Sequence, residues 1–135
     1  MRVLVTGVSG FAGPVVAHAL VEGGHEVHGL ARRPPDATRV ADLPLSLHAG
    51  DVCDAAWLAR LVADVAPAGV VHLAAVAEPA AAERDPEAAY RTNLGGTLAL
   101  LAAVRAAAPS ARLVVVSSSA VYGAVEPERL PAQRL

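Results

Sequence analysis

The 135 residues contain no lysine and no isoleucine, a single cysteine, one tryptophan, one phenylalanine and two tyrosines. One cysteine excludes an internal disulfide and a thiolate-rich zinc site, and fits a reducing, cytoplasmic setting. The 11 basic residues are all arginine, they are scattered, and the formal net charge is -2. The basic face that neutralises nucleic-acid phosphates is therefore missing, and no nucleic-acid partner is expected. The opening apolar run Val3-Leu4-Val5 is broken at once by Thr6-Gly7. That is too early for a secretory h-region of about 7–15 residues or a membrane span of about 20. Neither export nor membrane insertion is expected. The five histidines, His18, His25, His28, His48 and His72, have no metal-ligand spacing, and no metal site is expected.

With 54% hydrophobic residues, the chain can bury one real core and reads as one domain over residues 1–135. Arg2 to Thr6 is a β-branched run ending in glycine, as in a strand buried on both faces of a parallel sheet. From Phe11 the spacing turns helical, with Val15, Val16, Ala19 and Leu20 on one side, until Gly23-Gly24. Pro14 falls in the first turn, where a missing N–H costs nothing. Glu26 to Ala31 reads as a second strand, the stretch from Arg32 to Leu43 as a loop broken by Pro34-Pro35, and Leu45 to Ala49 as a third strand. Asp54 caps a helix carrying Trp57, Leu58, Leu61, Val62 and Val65 inward, which must end by Pro67.

Gly69 to Leu73 is the fourth strand and Arg112 to Ser117 the fifth. Between them Asp85-Pro86-Glu87 starts a helix running to about Ala108, and the alanines from Ala80 to Ala89 lead into it. Strands alternating with helices make each connection a crossover, so the sheet is parallel. The expected fold is α/β, a Rossmann-type doubly wound parallel sheet of order 3-2-1-4-5.

The chemistry concentrates at Thr6-Gly7-Val8-Ser9-Gly10-Phe11-Ala12-Gly13. A glycine-rich turn between a strand and its helix lets backbone approach a pyrophosphate, and the helix N-terminus supplies free N–H groups and partial positive charge. The spacing of Gly7, Gly10 and Gly13 is Gly-x-x-Gly-x-x-Gly, whose signal comes from the strand before it and the helix after it. The end of the second strand selects the cofactor: an acid binds a ribose hydroxyl, an arginine a ribose phosphate. Ala31 stands where the acid would be, and Arg32 and Arg33 follow. NADP is thus favoured over NAD, the alternative being two solvated loop arginines. Gly95-Gly96 inside a helix costs about 1 kcal/mol per glycine, so something is expected to pack tightly there. His72, closing a buried strand, reads as a satisfied core or strand-end residue rather than a ligand. Trp57 reads as core, and Cys53 as a small buried hydrophobe.

From Val3 to Gly13 the chain resembles the opening of the extended short-chain dehydrogenase/reductases, the NAD(P)-dependent epimerase/dehydratase family. Gly50-Asp51-Val52-Cys53-Asp54, His72-Leu73-Ala74-Ala75, Asn93-Leu94-Gly95-Gly96-Thr97 and Ser117-Ser118-Ser119-Ala120-Val121-Tyr122-Gly123 continue the resemblance in order. The resemblance implies that Gly7, Ser9, Gly10, Phe11, Ala12, Gly13, Arg32 and Arg33 hold the cofactor's phosphates and ribose. Asp51 would meet the adenine amino group and the Val52 backbone a ring nitrogen, a plain helix cap being the alternative for Asp51. Leu73, Ala74 and Ala75 would lie along the cofactor, and Asn93 would bond main-chain groups and hold the fourth strand's end in shape.

The resemblance also implies Ser118 as the catalytic hydroxyl, bonding the substrate oxygen at the carbon undergoing hydride transfer, with a Tyr-x-x-x-Lys pair as acid/base. Glu126 stands at the lysine position after Tyr122 and Leu94 after Tyr90. Codon bias of a GC-rich genome thins out lysine but is not expected to delete a required one. The chain therefore reads as the cofactor-binding part of a nucleotide-sugar epimerase, dehydratase or reductase. It is nearest to the GDP-mannose-derived branch, and lacks the later strands, the Tyr-x-x-x-Lys helix and the substrate lobe. The alternative is a catalytically silent nucleotide-binding module or gene remnant. A nucleotide-sugar would be the partner of the full-length enzyme, for which the resemblance leaves room for a homodimer.

Overall fold

The computed structural model describes residues 1–32 and 40–123. Among the described residues five strands form one parallel sheet in the order β3-β2-β1-β4-β5, with β1 Arg2–Thr6, β2 Glu26–Ala31, β3 Leu45–Ala49, β4 Gly69–His72 and β5 Arg112–Val115. The expected order is the observed one. β1 lies at the centre, its Thr6 beside Leu30 of β2 on one side and His72 of β4 on the other.

Alternation along β1 divides the core in two. Val3 and Val5 join Val8, Ala17, Val27, Ala31 and Val40 on one face, which α1 (Gly13–Glu22) covers. Leu4 joins Leu30, Leu58, Leu61, Val62, Val70 and Leu100 on the other, which α2 (Ala55–Val65) and α5 (Thr97–Ala107) cover. Each large side chain so buried contributes about 1.5–3 kcal/mol. The doubly wound arrangement thus follows from strands that are apolar on both sides.

The helices start where their caps dictate. Asp54 accepts the N–H of Trp57 at 2.9 Å and opens α2, and Asp85 accepts that of Ala88 at 2.9 Å and opens α4 (Pro86–Tyr90). A short helix, α3 (Pro79–Arg84), precedes it within the alanine-rich lead-in. The inward face of α1 differs from the one read from spacing. Gly13 and Ala17 are buried, and Val16, Leu20 and Val21 pack beside them. Val15 is 72% exposed and Ala19 is exposed. Helical stripes repeat at three and four residues; the stripe through the buried Gly13 and Ala17 takes in Val16, Leu20 and Val21 and leaves Val15 and Ala19 outside it.

The long helix expected from Asp85 to Ala108 is interrupted. Residues Arg91–Gly96 form a π turn between α4 and α5, and within it the two glycines differ. A Cβ on Gly96 would lie 2.7 Å from Val52 Cγ2, whereas one on Gly95 would meet nothing within 4 Å. The close packing expected of the pair belongs to Gly96 alone. β4 and β5 end one and two residues short of their expected limits, and Val114, Val115 and Val116 remain exposed at the β5 edge.

Gly96→Val should therefore lower stability by about 2 kcal/mol through overpacking. Gly95→Ala should leave it unchanged or raise it by up to about 1 kcal/mol. Urea unfolding of the two variants checks this, and similar midpoints would contradict the asymmetry.

Candidate functional site

The carboxyl ends of β1, β2 and β4 meet a groove of about 540 Å³. Its first wall is the turn after β1. Gly7 and Val8 donate to the Leu30 carbonyl at 2.9 and 3.3 Å, and Val8 is fully buried. Val8 fits because β2 carries Gly29 beneath it, where a Cβ would come within 2.8 Å of Val8 Cγ1. The turn closes with Gly10 N–H on the Gly7 carbonyl at 2.9 Å. Gly7 has φ +71, and a Cβ there would lie 2.7 Å from the Ala74 nitrogen and 2.8 Å from the Leu73 carbonyl carbon. Both the conformation and the contact require glycine.

Leu73, Ala74 and Ala75 form the floor, and Leu30, Ala31 and Arg32 the side beyond β2. Gly50, Val52 and Thr92 complete the lining. Among the described residues no side chain caps the α1 N-terminus, so its first-turn N–H groups stay free to meet an anion. Small residues, free N–H groups and one guanidinium suit an extended, phosphate-bearing ligand.

Of the residues singled out from the sequence, Gly7, Ser9, Gly10, Arg32, Val52, Leu73, Ala74 and Ala75 line the groove together. Phe11, Ala12 and Gly13 continue the turn into α1; Phe11 is 91% exposed and Gly13 is buried against Val8 and Gly7. Arg33 lies outside the described residues. Asp51 accepts the Cys53 N–H at 2.9 Å. That bond, with more distant Arg32 and Arg91, holds its carboxyl below the usual value. Asn93 accepts the Val76 N–H at 2.7 Å and donates to its carbonyl at 3.1 Å, clamping the segment after β4 as a main-chain support. Ser118 accepts the Ala120 N–H at 3.1 Å and opens the turn Ser119–Tyr122.

Leu30, Gly50 and Thr92 were not singled out. A Cβ on Gly50 would fall on the Trp57 ring, so this glycine makes room for the half-buried Trp57 next to the groove. Its place before Asp51 was the available signal. Thr92 is buried beside Asn93 in the π turn, which helical periodicity does not reveal. Cys53 is only partly buried, its thiol facing the Arg91 carbonyl at 3.5 Å, and burial pushes its pKa up. His72 is buried and bonded on both ring nitrogens, to Thr6 at 2.6 Å and Thr97 at 3.0 Å. Among the described residues no three His, Cys, Asp or Glu side chains converge as a metal site, and no helix is long and apolar enough to cross a membrane.

A family model described as the NAD dependent epimerase/dehydratase family matches residues 3–134. The chain is 37% identical over 131 residues to a UDP-glucose 4-epimerase of Streptomyces lividans, covering 96% of this chain and 39% of that protein. It is 34% identical to a GDP-mannose 4,6-dehydratase of Vibrio cholerae, covering 91% and 36%. Among solved structures, a UDP-glucose 4-epimerase from Brucella ovis in complex with NAD superimposes with a TM-score of 0.83 at 34% identity, over 96% of this chain and 39% of that one. The chain thus spans less than two-fifths of the length of these relatives.

Burial holds the His72 imidazole below its ordinary 6.5. The unfolded chain then takes up this proton first, so stability should fall as pH drops below about 6.5. Urea midpoints compared between pH ~7 and pH ~5 should fall more steeply for the wild type than for His72→Gln, which cannot titrate. His48, also held low by burial and by neighbouring His28, is common to both proteins and cancels. Equal slopes would show that His72 is not the group responsible.

Proposed function

The chain belongs to the NAD dependent epimerase/dehydratase family, and from that membership we propose that these residues bind a nicotinamide dinucleotide for hydride transfer at a carbon of a nucleotide-sugar. The observation that carries the reading is the contact between the glycine turn and the Leu73-Ala74-Ala75 floor, which leaves a groove lined by backbone and small side chains. Such a surface accepts a pyrophosphate at close range.

Gly7, Ser9 and Gly10, with the free N–H groups that open α1, hold the pyrophosphate. Ala31 and Arg32 at the end of β2 take the adenosine ribose, and the guanidinium favours the phosphate of NADP over the bare hydroxyl of NAD. NAD occupies several solved relatives, the Brucella epimerase among them; the preference here rests on Ala31-Arg32. Asp51 and the Val52 backbone face the adenine. Asp51 spends one carboxylate oxygen on Cys53, and a carboxylate has further acceptor sites for an amino group. When bound, the dinucleotide supplies hydride chemistry.

Ser118 is assigned to the substrate oxygen. The 135 residues contain no lysine, so we assign them binding and positioning and no acid/base step of the Tyr-x-x-x-Lys type. Relatives acting on UDP- and GDP-linked sugars both match, and the proposal extends to the nucleotide-sugar class as a whole. Exposed Tyr90, Leu94, Leu98 and Leu101 along the α4–α5 helix support a homodimer of the assembled enzyme.

Calorimetric titration of the chain should give tighter binding for NADPH than for NADH, and Arg32→Ala should remove most of the difference. Gly10→Val, whose Cβ would press on the Gly7 carbonyl at 3.1 Å, should weaken both dinucleotides by at least about tenfold. Unchanged affinity in the Gly10 variant would place the cofactor elsewhere, and equal affinities in the wild type would overturn the NADP preference.

A further inference from the structure

We propose that His72 is a positioning residue for the dinucleotide groove, locked in one tautomer by a one-way chain of hydrogen bonds joining the groove floor to the π turn. The proposal rests on the dinucleotide reading given above.

The direction of the chain follows from its fixed end. The Asn93 carbonyl can only accept, so the Thr97 hydroxyl donates to it, at 2.6 Å. With that proton committed, Thr97 Oγ1 meets His72 Nε2 at 3.0 Å as an acceptor, and Nε2 carries the hydrogen. A neutral imidazole has one N–H, so Nδ1 accepts from the Thr6 hydroxyl at 2.6 Å. Thr6 Oγ1 then accepts the Ala74 N–H at 3.3 Å. Protons run in a single sense from Ala74 through Thr6, His72 and Thr97 to Asn93.

No other protonation state fits. The Nδ1–H tautomer would set the Nε2 lone pair against an oxygen whose only proton is committed. An imidazolium would leave the Thr6 hydroxyl proton without an acceptor, and Thr6 is 0% and His72 3% exposed, so water cannot take the place of a missing partner. The ends of the chain are the two clamps on the floor. Ala74 N is the atom that a Gly7 Cβ would strike. Asn93, whose carbonyl ends the chain, holds both main-chain groups of Val76 with its side chain. His72 thereby couples both ends of residues 73–76 to β1 and to the π turn.

Thr97→Val removes the hydroxyl and keeps the shape; Thr97→Ser keeps the hydroxyl. Imidazole 15N shifts of the full chain should report a hydrogen-bonded Nε2–H in the wild type and in Thr97→Ser, and in Thr97→Val an Nε2–H shifted by the loss of its acceptor, with Nδ1 still accepting from Thr6. NADPH affinity by calorimetry should fall about tenfold in Thr97→Val, the order of one lost buried hydrogen bond, and recover in Thr97→Ser. An Nδ1–H ring in a wild type that binds NADPH would overturn this proposal alone, as would full affinity in a folded Thr97→Val. Should Thr97→Val fail to fold, the wild-type tautomer decides. A wild type that binds neither NADPH nor NADH would sink the dinucleotide reading and the positioning role together.

Discussion

The contact on which the site depends is backbone against backbone: Gly7 at the end of β1 lies on Leu73-Ala74 at the end of β4. A side chain at Gly7 would drive the two strand ends apart, tilt the turn off the Leu30 carbonyl and open the sheet where the groove begins. The surrounding features serve this approach. Val8 anchors the turn from below, Gly29 clears space for Val8, and Thr6 fixes the Ala74 N–H from the side. The sheet is parallel, so β1, β2 and β4 deliver their carboxyl ends to the same side. That is why one turn, one floor and one arginine line a common groove.

Much of this was legible in the sequence because the features involved are local or periodic. The strands announce themselves as short β-branched runs, Asp54 and Asp85 as caps before helical spacing, and the glycine turn by its position between strand and helix. The strand order followed from strands alternating with helices, read as a doubly wound parallel sheet. What escaped the reading depends on distant partners. The π turn at Arg91–Gly96 arises within a stretch whose spacing is ordinary helix, and only the packing of Gly96 on Val52 separates the two glycines. The α1 stripe was misplaced because four apolar residues in close succession admit two registers. Only the tertiary fit of Gly13 against the turn chooses between them.

The site residues divide in the same way. Backbone-lining positions such as Gly7, Gly10 and Ala74 could be named from motif and context. Thr92 reaches the groove through the π turn, which no short-range pattern reveals, whereas Gly50 was signalled by its place before Asp51, though the Trp57 ring that requires it was not. His72 was readable as a satisfied core or strand-end residue. Its two threonine partners lie 66 and 25 residues away along the chain, so the hydrogen-bond chain it completes belongs to the fold.

The central claim is that this groove, on these backbone atoms, receives a nicotinamide dinucleotide. Amide shift mapping of the 15N-labelled chain during titration with NADPH tests it most directly. The account predicts shifts concentrated at Gly7, Ser9, Gly10, Arg32, Val52, Ala74 and Ala75, with α3 and the exposed side of α1 around Val15 unaffected. Saturable shifts centred on α1 or α3, or no shifts at all, would contradict it.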